Sequence, residues 1–218
     1  FGIANIIQQW GNNGLKWQKT NTYNVGLSPN MFQQKLMLST SYQARITDPL
    51  LVRISLPHST GASSAPMNIG GTDNRSISLN ATFYVFRTPD LNWYFNGNIN
   101  HNTTKYYKIG NQLDQYNEAG RGSSSLERMY DGASISGLYI VRSAGIDPAT
   151  GNEIFIRKDG TYTYEWNSED EVLYGDTNPD FTGALSTSFL YKGFSFGSTF
   201  SFRSGAEIFL STLMEKVE

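Results

Sequence analysis

The chain has no cysteine among its 218 residues, so neither a disulfide framework nor thiolate chemistry organises it. It has two histidines, His58 and His101, far apart in sequence. Without cysteine they offer no metal-binding spacing and no base beside a nucleophile. We read His58 as a loop residue and His101 as a rim residue. No catalytic residues, metal site or cofactor are expected, and the chain does not read as an enzyme. No run approaches the roughly 18 apolar residues of a membrane-spanning helix. Charge is sparse and balanced, 17 Lys and Arg against 19 Asp and Glu for a net charge of −2, with no basic cluster. That excludes nucleic acid as a partner. Gly70-Gly71 and Gly120-Arg121-Gly122 follow no strand-to-helix pattern, so they make no phosphate loop. There is no starting methionine and no signal peptide, which fits an internal piece or a processed chain.

What is present is alternation. Six stretches, residues 17–27, 35–46, 75–86, 92–102, 181–191 and 194–203, alternate apolar and polar residues. In the second, Leu36, Leu38, Thr40, Tyr42, Ala44 and Ile46 share one face, opposite Lys35, Met37, Ser39, Ser41, Gln43 and Arg45. In the fourth, Trp93, Phe95, Gly97 and Ile99 oppose Asn92, Tyr94, Asn96, Asn98, Asn100 and Asn102. In the last, Phe194, Phe196, Phe200 and Phe202 oppose Ser195, Gly197, Thr199, Ser201 and Arg203. Side chains of a strand point alternately to its two faces, so each stretch is a strand with one oily and one wet side. A helix would space its apolar residues three and four apart.

Successive strands are joined by short turns, Ser28-Pro29-Asn30-Met31, Arg87-Thr88-Pro89-Asp90 and Lys192-Gly193, whereas residues 47–74 and 103–180 form long connections. Short turns at one end and long loops at the other, on strands of about ten to twelve residues, are the asymmetry of an antiparallel transmembrane β-barrel. The fold class is all-β. The polar faces carry Asn, Ser, Thr and Gln more than Lys and Glu, which suits a watery lumen. Trp17, Tyr42, Trp93 and Tyr191 are placed near strand ends, where an interfacial girdle would lie. Almost no charge falls on the apolar faces; Lys19 is the exception. The alternative is a soluble β-sandwich that binds carbohydrate on its aromatics. Six strands, with a seventh expected around residues 136–143, are too few to close a membrane barrel of at least about eight. The chain therefore reads as an incomplete segment of a larger barrel.

The residues also carry a resemblance. The run Leu15-Lys16-Trp17-Gln18-Lys19-Thr20 with Tyr23-Asn24-Val25-Gly26-Leu27 resembles a recurring barrel segment of the SusC/RagA family of TonB-dependent outer-membrane transporters of Bacteroidetes. So do Thr47-Asp48-Pro49-Leu50-Leu51, Leu56-Pro57, Asn68-Ile69-Gly70 and Asn74-Arg75-Ser76-Ile77-Ser78-Leu79. Gly145-Ile146-Asp147-Pro148-Ala149-Thr150-Gly151-Asn152, Asp159-Gly160 and Tyr174-Gly175-Asp176-Thr177-Asn178-Pro179 complete the pattern. The resemblance implies a barrel of about 22 strands. Residues 1–218 would be a middle-to-late part of it, without the N-terminal plug domain. It further implies location in the outer membrane in contact with its lipid, and uptake of glycans or peptides with a SusD-like surface lipoprotein. Energy would come from the TonB complex acting through the absent plug. The short turns would face the periplasm and the long loops the exterior.

Within the second long loop, residues 154–157 and 162–166 flank Lys158-Asp159-Gly160-Thr161, a hairpin with Asp-Gly at its tip. If the second arm is a strand, Tyr162, Tyr164 and Trp166 share a face, and they are the candidate residues for contact with substrate or cap. The other reading is loop packing, since aromatics dominate cores and interfaces alike. Glu165, Glu169, Asp170 and Glu171 form an acidic run that either holds Ca²⁺ or is a solvated loop. Asp147 to Asn152 reads as a turn, and Ser124 with Glu127 as a capping box that starts a short helix.

Overall fold

The computed structural model describes residues 11–55, 59, 61, 64–122 and 125–210. His58, Leu56, Pro57 and the proposed cap Ser124 lie outside the described residues. The chain begins with β1 (Lys19–Leu27), β2 (Asn30–Met31) and β3 (Leu36–Asp48). Next come β4 (Leu50–Ser55) and β5 (Ser64–Ile69), then the longest pair, β6 (Gly71–Arg87) and β7 (Leu91–Tyr107). Helix α1 (Asp114–Gly120) precedes five short strands: β8 (Gly137–Ile140), β9 (Arg142–Ile146), β10 (Glu153–Ile156), β11 (Tyr162–Thr163) and β12 (Val172–Asp176). The last two are β13 (Phe181–Tyr191) and β14 (Phe194–Ser204).

Seven strands form one sheet in the order β1-β3-β6-β7-β13-β14, with β2 paired to β3. Each long strand lies beside the long strand that precedes it, an up-and-down meander whose path stays open among the described residues. The seventh strand is β2, not residues 136–143. That stretch is split between β8, which pairs with β12, and β9, which pairs with β10. β6 and β7 have 17 residues each, longer than the alternation indicates. Their added ends, residues 71–74 and 103–107, carry no apolar alternation to announce a strand.

The chain divides into two compact units. The wall unit comprises the described residues of Thr22–Arg45, Asn74–Thr103 and Gly175–Glu218; the loop unit comprises those of Phe1–Asn21, Ile46–Asp73 and Thr104–Tyr174.

In the wall unit β13 pairs with β14 without a slip, from Phe181 opposite Ser204 to Tyr191 opposite Phe194. It pairs with β7 from Thr182 opposite Asn100 to Tyr191 opposite Leu91. Directly opposed residues share a face. Phe189 therefore falls with Trp93 and Phe196, and Leu185 with Gly97 and Phe200. On the other side Ser186 falls with Asn96 and Thr199. The apolar face stays uncovered: Leu185 is 54 %, Phe196 55 % and Phe200 68 % exposed. A sandwich would bury this face against a second sheet, and among the described residues none covers it. Toward the short turns Trp93 packs among Phe86, Phe95 and Phe189, with ring centroids 5.4–6.3 Å apart, and its indole donates to Thr187 Oγ1 at 3.0 Å. Tyr42 is not part of such a girdle. It is the central residue of β3, because that strand runs on to Asp48.

The polar face is tied across strands by neutral groups. Gln43 donates to Asn24 at 2.8 Å, Asn96 to Thr82 at 2.8 Å, and hydroxyl pairs link Ser41 with Ser78 and Ser186 with Thr199 at 2.6 and 3.0 Å. In β6 the parity changes near the turn. Tyr84 stacks on Tyr94 of the polar face and carries Arg87 over its ring at 4.9 Å, while Phe86 stacks on Trp93 of the apolar face. Phe86 thus meets a ring of the apolar side although it lies two residues from Tyr84 on the same strand.

Two short turns lie where expected. Lys192 and Gly193 both have positive φ (43° and 88°), the demand of a tight two-residue hairpin. Thr88-Pro89-Asp90 is closed by Thr88, whose hydroxyl accepts from the Leu91 amide at 3.1 Å. The first turn is displaced. Asn30 and Met31 pair with Met37 and Leu36, and the reversal falls on Phe32, Gln33 and Gln34, all at positive φ.

The loop unit has a small core of Ile69, Ile109 and Leu113, each no more than 2 % exposed. β4 and β5 form a hairpin from Leu50 opposite Ile69 to Ser55 opposite Ser64. A Cβ on Gly71 would fall 2.5 Å from the Tyr107 ring, so Gly70-Gly71 serves close packing. Asp147 closes the turn between β9 and β10: its carboxylate accepts from the Ala149 amide and the Thr150 hydroxyl, both at 2.9 Å.

Two outcomes follow from this architecture. Leu185→Arg, near the middle of the eleven-residue β13 on the apolar face, should disfavour membrane assembly of the intact protein by about 2–4 kcal/mol. Ser186→Arg, on the opposite face, should assemble nearly as the parent does. Heat-modifiable mobility of the folded barrel measures both, and equal tolerance would refute the assignment of faces. The Ala149 amide, chiefly, with the Thr150 and Tyr164 hydroxyls, holds the Asp147 carboxyl below the ordinary carboxylate range. The turn's added stability is therefore complete above that range and is lost as pH falls through the lowered value. Protection of the Ala149 amide against exchange, corrected for intrinsic rates, should fall in that acid window and stay flat above it.

Candidate aromatic loop site

The site is built on the small sheet β9-β10-β11 of the loop unit. Ile156 lies opposite Tyr162 and Phe155 opposite Thr163, so the expected hairpin forms. Its tip is closed by the Arg157 amide on Thr161 O at 2.9 Å, with Gly160 at φ 86°. Asp159 accepts from the Thr161 amide and hydroxyl, which hold its carboxyl below the usual range, the hydroxyl contributing most.

The outgoing strand ends at Thr163, so the alternation that would align three aromatics stops after Tyr162. Tyr162 and Tyr164 still come together, lining an open depression of about 320 Å³ with Ala144, Ile154 and Thr163. The Tyr164 hydroxyl donates to Asp147 Oδ2 at 2.9 Å. The bonded carboxylate and its charge push the Tyr164 phenol above its usual value. That bond fixes the ring while leaving it 56 % exposed; Tyr162 is 70 % exposed. Trp166 is not part of the depression. Its ring edge lies against Gly122, with Cη2 3.2 Å from where a Cβ would stand. The chemistry on offer is ring stacking on apolar surface, with few polar groups free to add direction.

The acidic run does not gather. Glu171 is bound to Arg128, and Asp170 accepts from the Lys158 amide at 3.2 Å. Asn167 caps a 3-10 turn over Ser168–Asp170 by accepting from the Glu169 amide. Among the described residues no group of three His, Asp or Glu side chains is placed to hold a metal. The oxygens of Asp147 are engaged by its own turn and by Tyr164. His101 lies in β7, its Nδ1 2.6 Å from Asp180 O and its ring tilted against Phe181 with centroids 5.3 Å apart. β7 runs six residues beyond it to Tyr107, so His101 stands within a strand and not at its end.

The residue that sequence reasoning missed is Arg128. Its guanidinium is buried, with the side chain 1 % exposed, and makes a two-pronged bond to Glu171 at 2.8 and 3.1 Å. The remaining hydrogens go to the carbonyls of Ser125, Glu127 and Gly120 at 2.8–2.9 Å. These bonds account for the absent helix at residues 125–127: carbonyls turned toward Arg128 are unavailable to a helical ladder. The helix forms earlier, as α1. Only the apolar neighbours Leu126, Met129 and Tyr130 hinted that this arginine would be drawn inward.

No family model matches the chain. It is 26 % identical, over an alignment of 228 positions and 96 % of its length, to TonB-dependent receptor P3 of Formosa agariphila, of which it covers 23 %. It is 27 % identical, over 88 % of its length, to TonB-dependent receptor SusC of Bacteroides thetaiotaomicron, of which it covers 20 %. Among solved structures, a RagAB peptide transporter superposes on 89 % of the chain with TM-score 0.75 and 24 % identity, the match covering 22 % of that protein. The RagAB peptide importer in its open-open state gives TM-score 0.73 and 22 % identity over 91 % of the chain. The chain thus spans between a fifth and a quarter of the length of the curated relatives it matches. Sequence likeness along nearly the whole chain and the superposition agree: the chain is similar in sequence to a stretch of TonB-dependent receptors of the SusC type, and in fold to a stretch of the RagAB structures.

Proposed function

We propose that the chain supplies part of the wall and two extracellular loops of a TonB-dependent importer of the SusC type in the outer membrane. The observation that carries this reading is the unbroken β7-β13-β14 pairing, which sorts exposed apolar rings to one face and neutral amides and hydroxyls to the other. In this reading the apolar face meets outer-membrane lipid and the neutral face borders the lumen. The short turns face the periplasm and the loop unit belongs to the exterior side. A plug domain from elsewhere in the protein couples to the TonB complex, and a SusD-like lipoprotein covers the outer mouth. A solved structure called a RagAB peptide transporter supports import as the activity and peptides as the cargo; oligosaccharides are the other cargo that the resemblance of the sequence implies. Tyr162, Tyr164 and Trp166 are the side chains of this chain that contact cargo or cap, because their rings are exposed on an ordered hairpin and its continuation.

Two measurements test the proposal. On fractionation, the native protein that carries this chain should be a detergent-extracted outer-membrane species, and a soluble one would overturn the wall. Replacing Tyr162, Tyr164 and Trp166 together by alanine should weaken uptake while leaving barrel abundance unchanged. Undiminished uptake would remove these three residues from the path.

A further inference from the structure

Arg128 is a buried cation in a segment with little apolar core, and the proposed import gives it no part. Its guanidinium stands between two pieces of chain. On one side it binds the carbonyls of Gly120, Ser125 and Glu127. On the other it holds both carboxylate oxygens of Glu171. Each piece leads to the aromatic residues. Two residues after Gly120, Gly122 forms the surface against which the Trp166 ring lies, and the Ser168 side chain is 3.9 Å from the same point. Immediately before Glu171, Asp170 accepts from the Lys158 amide at the tip of the hairpin that presents Tyr162. The planar fork thus meets one piece that backs Trp166 and another that grips the hairpin tip.

An ion pair removed from water is poor evidence of stabilisation, since apolar replacements of similar volume are often tolerated. What a saturated fork gives is direction: five hydrogens in a fixed plane permit one arrangement of their acceptors. We infer that Arg128, through Glu171, is a positioning residue for the aromatic loop. It sets where Trp166 and the Tyr162 hairpin stand, without contacting anything they bind. This inference rests on the proposed reading of the aromatic loop only for its consequence in uptake; the positioning itself is read separately.

The test uses the intact transporter carrying Gln115→Cys on α1 and Lys158→Cys at the hairpin tip, both on exposed positions of a chain with no cysteine of its own. Spin labels at the two sites should give one narrow distance distribution. Adding Arg128→Met with Glu171→Leu removes the fork but fills its space. The distribution should then broaden, while barrel abundance and heat-modifiable mobility stay as in the parent. Arg128→Lys, which keeps the charge but loses the fork, should broaden it too, and is the variant to read if the apolar pair does not assemble. A narrow, unshifted distribution in the fork-less variant would overturn the inference, whatever happens to uptake. Broadening with reduced uptake upholds both positioning and the aromatic loop's part in import. Broadening with undiminished uptake upholds positioning and sinks the loop's proposed role.

Discussion

The backbone ladder is the constraint on which the wall depends. In hydrocarbon no water is available to an unpaired N–H or C=O, and each orphan costs several kcal/mol. A chain that crosses with strands must therefore pair every strand laterally. The register of β13 with β7 and β14 shows no slip over the pairs that join them. A slip of one residue would carry Leu185 and Phe189 to the wet side and Ser186 to the oily side. Pairing, register and the two-faced sequence are one requirement seen three ways.

The wet face obeys a related limit. Its cross-strand links join Asn24 to Gln43, Ser41 to Ser78, Thr82 to Asn96 and Ser186 to Thr199. Short neutral side chains bond their neighbours without holding a long, flexible charge in place, so each link costs little side-chain entropy. Such bonds contribute only about 0.5–1.5 kcal/mol each even where shielded. Their larger effect is to line this part of the face with neutral, hydrated groups.

The sequence disclosed the wall because its physics has a period. Alternation located the six long strands, and turn chemistry located Lys192-Gly193 and Thr88-Pro89-Asp90. It failed where the period carries no information. Nothing in Gly71-Thr72-Asp73 or Thr103-Thr104-Lys105 distinguishes strand from loop, so β6 and β7 looked shorter than they are. Pro29 drew attention to a turn that three left-handed residues, Phe32 to Gln34, make instead. Phe86 follows the alternation on paper and leaves it in space. The aromatic triplet was legible as a hairpin but not as a row, since β11 stops at Thr163. Arg128 was invisible, because its acceptors lie 43 residues away at Glu171 and on carbonyls that no side-chain pattern reports.

The loop unit solves a different problem, and its solution explains the exposed aromatics. Among the described residues its buried apolar side chains are Ile69, Ile109, Leu113 and Leu138, with a few partly buried neighbours. A core so small leaves much of the ordering to directional groups. Asn117, 1 % exposed, donates to Met129 O and accepts from the Met129 amide, imitating a strand partner. Asp131 accepts from the amides of Ile109 and Gly110. Arg128 joins four residues at once. Segments held by polar anchors do not need their largest rings inside. Tyr162 and Trp166 can remain 70 % and 54 % exposed while the chain beneath them stays ordered. Had the rings supplied the core, they would be unavailable to anything outside; the buried charge and amide free them for contact.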